Sequence, residues 1–251
     1  MDAYVTTTIK DAIATIEFYH HQSNSLPSAI LTQLTTAIVE AGSNIGVKVI
    51  VLQSSGDRTF CAGASFDELI AISNEAEGLH FFSGFAHVIN AMRRCPKFII
   101  CRVQGKAIGG GVGLACAADY TMATQYAQVK LSELAVGIGP FVVGPAVERK
   151  IGTSAAYELA IDAANLRTAQ WAYSKGMYTV VTNTIAELDV HIQVLATTLT
   201  KYNAEAMASI KAAFWQGTAH WEQLLYERAA VSGKLVLSEH TKAAISAFKT
   251  K

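Results

Sequence analysis

Charge is scarce in this sequence and balanced where it occurs. Charged residues make up 16% of the 251, with 20 Lys+Arg against 20 Asp+Glu and a formal net charge of zero. No basic excess points to nucleic acid, and no run of one sign suggests an interaction tail. An anionic ligand would have to be held by a few local cations and by backbone amides. The four cysteines, Cys61, Cys95, Cys101 and Cys116, form no CxxC pair and no metal-ligand spacing, so they read as reduced, packed thiols with no metal site. The N-terminus has neither a basic n-region nor an apolar h-region, which argues against a secretory signal. The longest apolar run, 107–118, is interrupted by glycines and falls short of the ~20 residues that cross a bilayer. GxGxxG in a strand-to-helix context and GxxxxGK[ST] are both missing, which removes the dinucleotide and P-loop readings. A soluble, cytoplasmic protein with no nucleic-acid or membrane partner is the expectation.

What is abundant is apolar: 51% of residues, enough for one large core and for surfaces covered by other subunits. Segments 4–9 and 12–18 flank Lys10-Asp11 as a β-hairpin. Ser25 and Pro27 read as cap and first position of a helix reaching about Ala41. Runs 47–53 and 98–103 are buried strands, 66–72 and 78–94 helices, the second stopped by Pro96. A small-residue helix follows near 112–118, then a strand at 120–123. After Pro145 the pattern turns helical almost to the end, clearest at 185–200, 204–215, 219–230 and 239–249. The division expected is 1–184 as an α/β core and 185–251 as a helical region for oligomerisation and site closure.

Two segments carry the chemistry. Cys61-Ala62-Gly63-Ala64-Ser65 and Gly109-Gly110-Gly111-Val112-Gly113 each lie between a strand and a helix. Small residues there let backbone N–H groups approach a ligand oxygen, and at a helix start those groups lack internal partners. Two such turns facing one another would make a two-donor hole for an oxyanion. Either turn alone reads equally as a tight connection with glycines for helix packing. Glu133, among Val129, Leu131, Leu134 and Val136, reads as a partly desolvated carboxyl or as a glutamate paired with Lys130. The histidines, His20-His21 among them, read as surface groups. Asp119 reads as structural, and Trp215 and Trp221 as packing.

The order FCAGASFDEL, GKAIGGGVGLACAADYTMAT, VKLSELAVGIGP resembles the crotonase (enoyl-CoA hydratase/isomerase) family over most of the chain. The resemblance implies an α/β fold, a crotonase-like spiral of ββα units with a helical C-terminal region, assembled as a homotrimer or homohexamer. It implies an acyl-CoA thioester substrate, coenzyme A being part of the substrate and no separate cofactor. It places the two amide donors at Ala64 and Gly110, the acid/base at Glu133, and coenzyme A contacts at Arg58, Cys61, Ala62 and Ala64. Hydratases of the family carry a further glutamate after the GGG segment; that position here is Gly113, where alanine is expected to be mild. The AGAD aspartate is Ser65, and a basic residue two positions on is Asp67. The leading function is therefore hydration/dehydration between 2-enoyl-CoA and 3-hydroxyacyl-CoA, with 3-methylglutaconyl-CoA and 3-hydroxy-3-methylglutaryl-CoA as the sharpest substrate guess. A Δ3,Δ2-enoyl-CoA isomerase needs only one carboxylate and is the runner-up; a non-catalytic CoA-binding protein is the third reading.

Overall fold

A computed structural model describes residues 2–249. The chain opens with β1 (Tyr4–Lys10), β2 (Ile13–Tyr19) and α1 (Ser28–Ser43), then β3 (Val49–Ser54), β4 (Thr59–Cys61), α2 (Phe66–Ala71) and α3 (Glu75–Arg94). Next come β5 (Phe98–Val103), β6 (Lys106–Ile108) and α4 (Gly110–Ala117), followed by β7 (Tyr120–Thr124), β8 (Val129–Lys130), a 3₁₀ turn (Leu134–Val136) and α5 (Gly144–Ile161). The chain continues with α6 (Ala169–Ser174), β9 (Val180–Thr182), α7 (Ile185–Leu199), α8 (Ala204–Phe214), α9 (Trp221–Leu235) and α10 (Glu239–Lys249).

Strands β1-β2-β3-β5-β7-β9 form one sheet in that order, and β4-β6-β8 form a second. Among the named strands of the described residues only the β1–β2 hairpin is antiparallel, the other strand pairings being parallel, and an isolated antiparallel bridge joins Val129 to Arg167. Each of β3, β5 and β7 is followed by a strand of the small sheet and then by a helix. That is the expected spiral of ββα units.

The central strands β3 and β5 are buried on both faces, which is why they read as unbroken apolar runs, whereas the edge strand β1 is largely exposed. Val49, Val51, Ile100 and Met122 face α7 through Leu188, Ile192 and Ala196. Ile50, Leu52, Ile99 and Cys101 join the main core with α1, α3, α4 and α9. Asp119, at the start of β7, accepts from Ile99 N (2.8 Å), Lys211 Nζ (2.7 Å) and Trp215 Nε1 (3.1 Å), so it ties α8 to the sheet. Trp215 packs edge-to-face on Trp221 at 5.7 Å.

Several local expectations change. Helix α1 begins at Ser28, with Pro27 in the cap position. The cap is supplied from a distance: Glu68 of α2 accepts from Ser28 N and Oγ at 2.9 and 2.7 Å. Ser25 instead meets Nδ1 of His20 at 3.0 Å. His20 is buried, not a surface group, and its ring lies tilted against that of His21 with centroids 4.4 Å apart. The run after Pro145 is interrupted by β9, three residues long and too short to show a period.

Candidate active site

The small sheet delivers both glycine turns to one place. After β4 the chain runs through Ala62-Gly63-Ala64 to Ser65, which caps α2 by accepting Glu68 N–H at 3.3 Å. Leu26 pairs with this segment in a parallel bridge, donating to Gly63 O (2.8 Å) and accepting from Ser65 N (3.2 Å). That pairing leaves the N–H of Ala64 on the opposite edge of the segment. After β6, Gly109 turns the chain with φ +52°, a conformation that favours glycine, and its N–H bonds Lys130 O at 2.8 Å. Gly110 is the first residue of α4, so its N–H lacks an intrahelical acceptor. Among the described residues neither Ala64 N–H nor Gly110 N–H has a hydrogen-bond partner. The two turns lie side by side: a Cβ built on Gly63 would stand 3.2 Å from Ile108 O and 3.6 Å from Gly110 N.

Close packing holds this arrangement. Any side chain at Gly110 would overlap the ring of Phe85, and one at Gly111 would lie 2.7 Å from Cys61 O. The buried Cys61 thiol accepts Gly63 N–H at 3.3 Å, and burial pushes its pKa up to about 12. Cys61 therefore shapes the first turn and does not line the cavity. Cys95, Cys101 and Cys116 are likewise free and buried.

Glu133 follows β8 and enters the 3₁₀ turn, with its backbone carbonyl accepting from Val136 N (3.2 Å) and Ile138 N (2.9 Å). Its carboxyl points at the second glycine turn; a Cβ on Gly109 would lie 3.0 Å from Oε1. The residue as a whole is half-buried, yet Oε2 is sealed from solvent and has no hydrogen-bond partner among the described residues. No ion pair with Lys130 or any other described cation forms. Loss of solvation raises its pKa to about 7, its own backbone N–H opposing the shift.

The turns and Glu133 border one cavity of about 270 Å³. Its remaining wall is largely apolar, with Phe66, Phe82, Phe85, Phe141 and Val143 prominent, and Ser132 and Ser232 add hydroxyls. Val143 stands where a side chain at position 113 would go: a Cβ on Gly113 would lie 2.5 Å from Val143 Cγ1. This contact argues against the expectation that alanine at 113 would be mild. Arg58 lies outside this cavity, in an adjoining one of about 540 Å³ with His21 and Lys106; Ala62 and Ile108 line both. In the sequence Lys106 reads only as one cation for a distal acyl carboxylate, not for coenzyme A, and Ser232 and Val143 are given no role in the site. Register could have found the first, because Lys106 and Ile108 alternate with buried Ala107 on β6. Ser232 carries no local signal, because α9 is brought to the site by its packing on α3.

Comparison with known proteins places the chain in a family. A family model described as enoyl-CoA hydratase/isomerase matches residues 8–251. A probable enoyl-CoA hydratase of Bacillus subtilis is 26% identical over 249 residues, covering 98% of this chain and 96% of that protein. The human mitochondrial methylglutaconyl-CoA hydratase is 34% identical over 141 residues, 56% of this chain and 41% of that protein. The crystal structure of an enoyl-CoA hydratase from Bacillus halodurans superposes with a TM-score of 0.90 at 21% identity, covering 97% of this chain and 99% of the other. The chain belongs to the enoyl-CoA hydratase/isomerase family, within the crotonase superfamily.

Proposed function

We propose that this protein interconverts a 2-enoyl-CoA and a 3-hydroxyacyl-CoA through a thioester enolate. The observation that carries the reading is the sealed, unpaired Oε2 of Glu133 beside the open N–H of Gly110. In the dehydrating direction the ionised carboxylate takes the α-proton, and the electron pair moves onto the thioester oxygen. Ala64 N–H and Gly110 N–H hold that oxyanion. As the carbonyl re-forms, the pair expels the β-hydroxyl, which takes the proton back from Glu133 and leaves as water. Hydration runs the same steps in reverse. One carboxyl suffices if both transfers occur on one face, and a pKa near 7 suits it to give and take a proton at neutral pH.

Coenzyme A spans the two cavities across Ala62 and Ile108, with Arg58 and Lys106 available to its phosphates. Similarity to the human methylglutaconyl-CoA hydratase supports a branched acyl group such as 3-methylglutaconyl. Exposed apolar side chains, among them Tyr157 and Ile161 on α5 and Phe214 on α8, support assembly into trimers or paired trimers.

A second reading, Δ3,Δ2-enoyl-CoA isomerisation, is favoured by the Gly113–Val143 contact, which fills with a methyl group the space a second, water-holding carboxylate would need. Turnover of crotonyl-CoA, a 3-enoyl-CoA and 3-methylglutaconyl-CoA at equal concentration separates the two. Loss or gain of enoyl-thioester absorbance, with Glu133→Gln as control, is the readout. Best turnover of the 3-enoyl substrate makes the protein an isomerase. Full activity of Glu133→Gln removes Glu133 from the mechanism.

A further inference from the structure

The turn that carries Glu133 is closed on itself but does not hold its own place. Val136 N–H and Ile138 N–H both return to Glu133 O, and Gly137 N–H returns to Leu134 O at 3.0 Å. Gly137 ends the turn in the left-handed region, φ +81°, leaving its carbonyl facing away from the turn. That carbonyl accepts the hydroxyl of Thr241, on the first turn of α10, at 2.9 Å.

Thr241 is itself fixed. It is fully buried, and its Oγ1 accepts a hydrogen bond from Ser238 Oγ at 3.0 Å. Ser238 Oγ also takes the Thr241 N–H at 3.2 Å, which caps α10. The Thr241 proton is thereby directed to Gly137 O, in a chain from Ser238 through Thr241 to the turn. No side chain fits between the two elements, because a Cβ on Gly137 would overlap Thr241 Oγ1 and lie 3.2 Å from His240 Cδ2. Beside the hydrogen bond, Ile245 of α10 packs with Ile138, Leu69, Phe81 and Val236. Ile138, Val136 and Leu69 are also cavity wall.

The geometry points to Thr241 as a positioning residue that sets the Glu133 carboxyl against the Gly109–Gly110 turn, acting through the Gly137 carbonyl. This rests on the reading of Glu133 as the acid/base. Among the described residues the Glu133 carboxyl has no side-chain hydrogen-bond partner to orient it, so its aim depends on the backbone that bears it. An error of about 1 Å in a reacting group can cost ~10²-fold in rate, so a partial loss of this tether should cost less than that.

The experiment compares Thr241→Val, which keeps the shape and removes the hydroxyl, with Thr241→Ser, which keeps the hydroxyl. Thr241→Val should lose about tenfold in kcat with KM nearly unchanged, and Thr241→Ser should restore most of it. Ser238→Ala, which removes the donor that orients the Thr241 hydroxyl, should fall between them and serves if Thr241→Val does not fold. Hydrogen exchange at the amides of Val136, Gly137 and Ile138 should quicken in Thr241→Val, a readout independent of turnover. Quickened exchange with wild-type kcat would reduce Thr241 to a structural role and overturn the proposal, as would equal loss in the Ser and Val variants. Were Glu133→Gln fully active, the functional reading would fail on its own evidence, while the exchange measurement would still report on the tether.

Discussion

Val143 fills the space that any side chain at position 113 would need: a Cβ built on Gly113 lies 2.5 Å from Val143 Cγ1 and 2.8 Å from Val143 Cβ. Both residues are buried, Gly113 in α4 and Val143 at the foot of α5. The missing carboxylate and the valine are thus one feature, a methyl group in place of an acid.

Gly113→Ala should therefore destabilise the protein by roughly 1–3 kcal/mol, the usual cost of overpacking a filled core. Val143→Ala in the same chain removes the 2.5 Å contact but keeps the Cβ at 2.8 Å, so it should recover part of that, and denaturant unfolding of both single variants and the double variant measures the coupling. Gly113→Glu alone should not install a working second acid. Additive single effects would show that Val143 does not define the space.

Glu133 gives a pH signature of definite sign. Its carboxyl ordinarily titrates at 4.5 and is pushed up to about 7 by burial. Between those values the folded chain keeps a proton that the unfolded chain has released. Stability must then fall as the pH rises through this window. The cost is absent below 4.5, complete above about 7, and on the order of 3 kcal/mol at 1.36 kcal/mol per pKa unit. Glu133→Gln should remove this dependence and be the more stable chain at pH 8, while losing ~10²–10⁴-fold in turnover. Wild-type kcat/KM should rise to a plateau with an apparent pKa near 7, because the ionised form begins the reaction. Parallel stability–pH curves for the two chains would refute the assignment.

The sequence carried the large sheet because β3 and β5 are apolar on both faces, and a run such as VIVL or FIIC is legible without its neighbours. The small sheet was not legible. Its strands hold two or three residues each, and β6 shows its alternation only once Ala107 is known to be buried. Yet that sheet brings the two glycine turns together. The turns themselves could be read from residue type, since glycine at 109 and 110 answers to a positive φ and to the Phe85 ring. The neighbours of Glu133 could not. Thr241 is 108 positions away, and only the docking of α10 places it at Gly137.

The two amide donors allow a test that side-chain substitution cannot make. Any residue larger than glycine at 110 overlaps Phe85, so even Gly110→Pro would confound the lost N–H with a displaced ring. Replacing the amide of Gly110 or of Ala64 by an ester removes the donor and leaves the side chain unchanged. Neither N–H has an acceptor among the described residues, so the stability cost should be confined to the weaker ester carbonyls of Gly109, which accepts Val112 N–H and Gly113 N–H, and of Gly63, which accepts Leu26 N–H. Each ester should lower kcat by ~10²–10³, the usual cost of one oxyanion donor. The effect should fall on kcat more than on KM, because the enolate oxygen accepts these bonds more strongly than the ground-state carbonyl does. An ester at Val112 is the control: its N–H donates to Gly109 O at 2.9 Å, so removing it should cost stability before it costs rate. Full kcat in the Gly110 ester would place the oxyanion elsewhere.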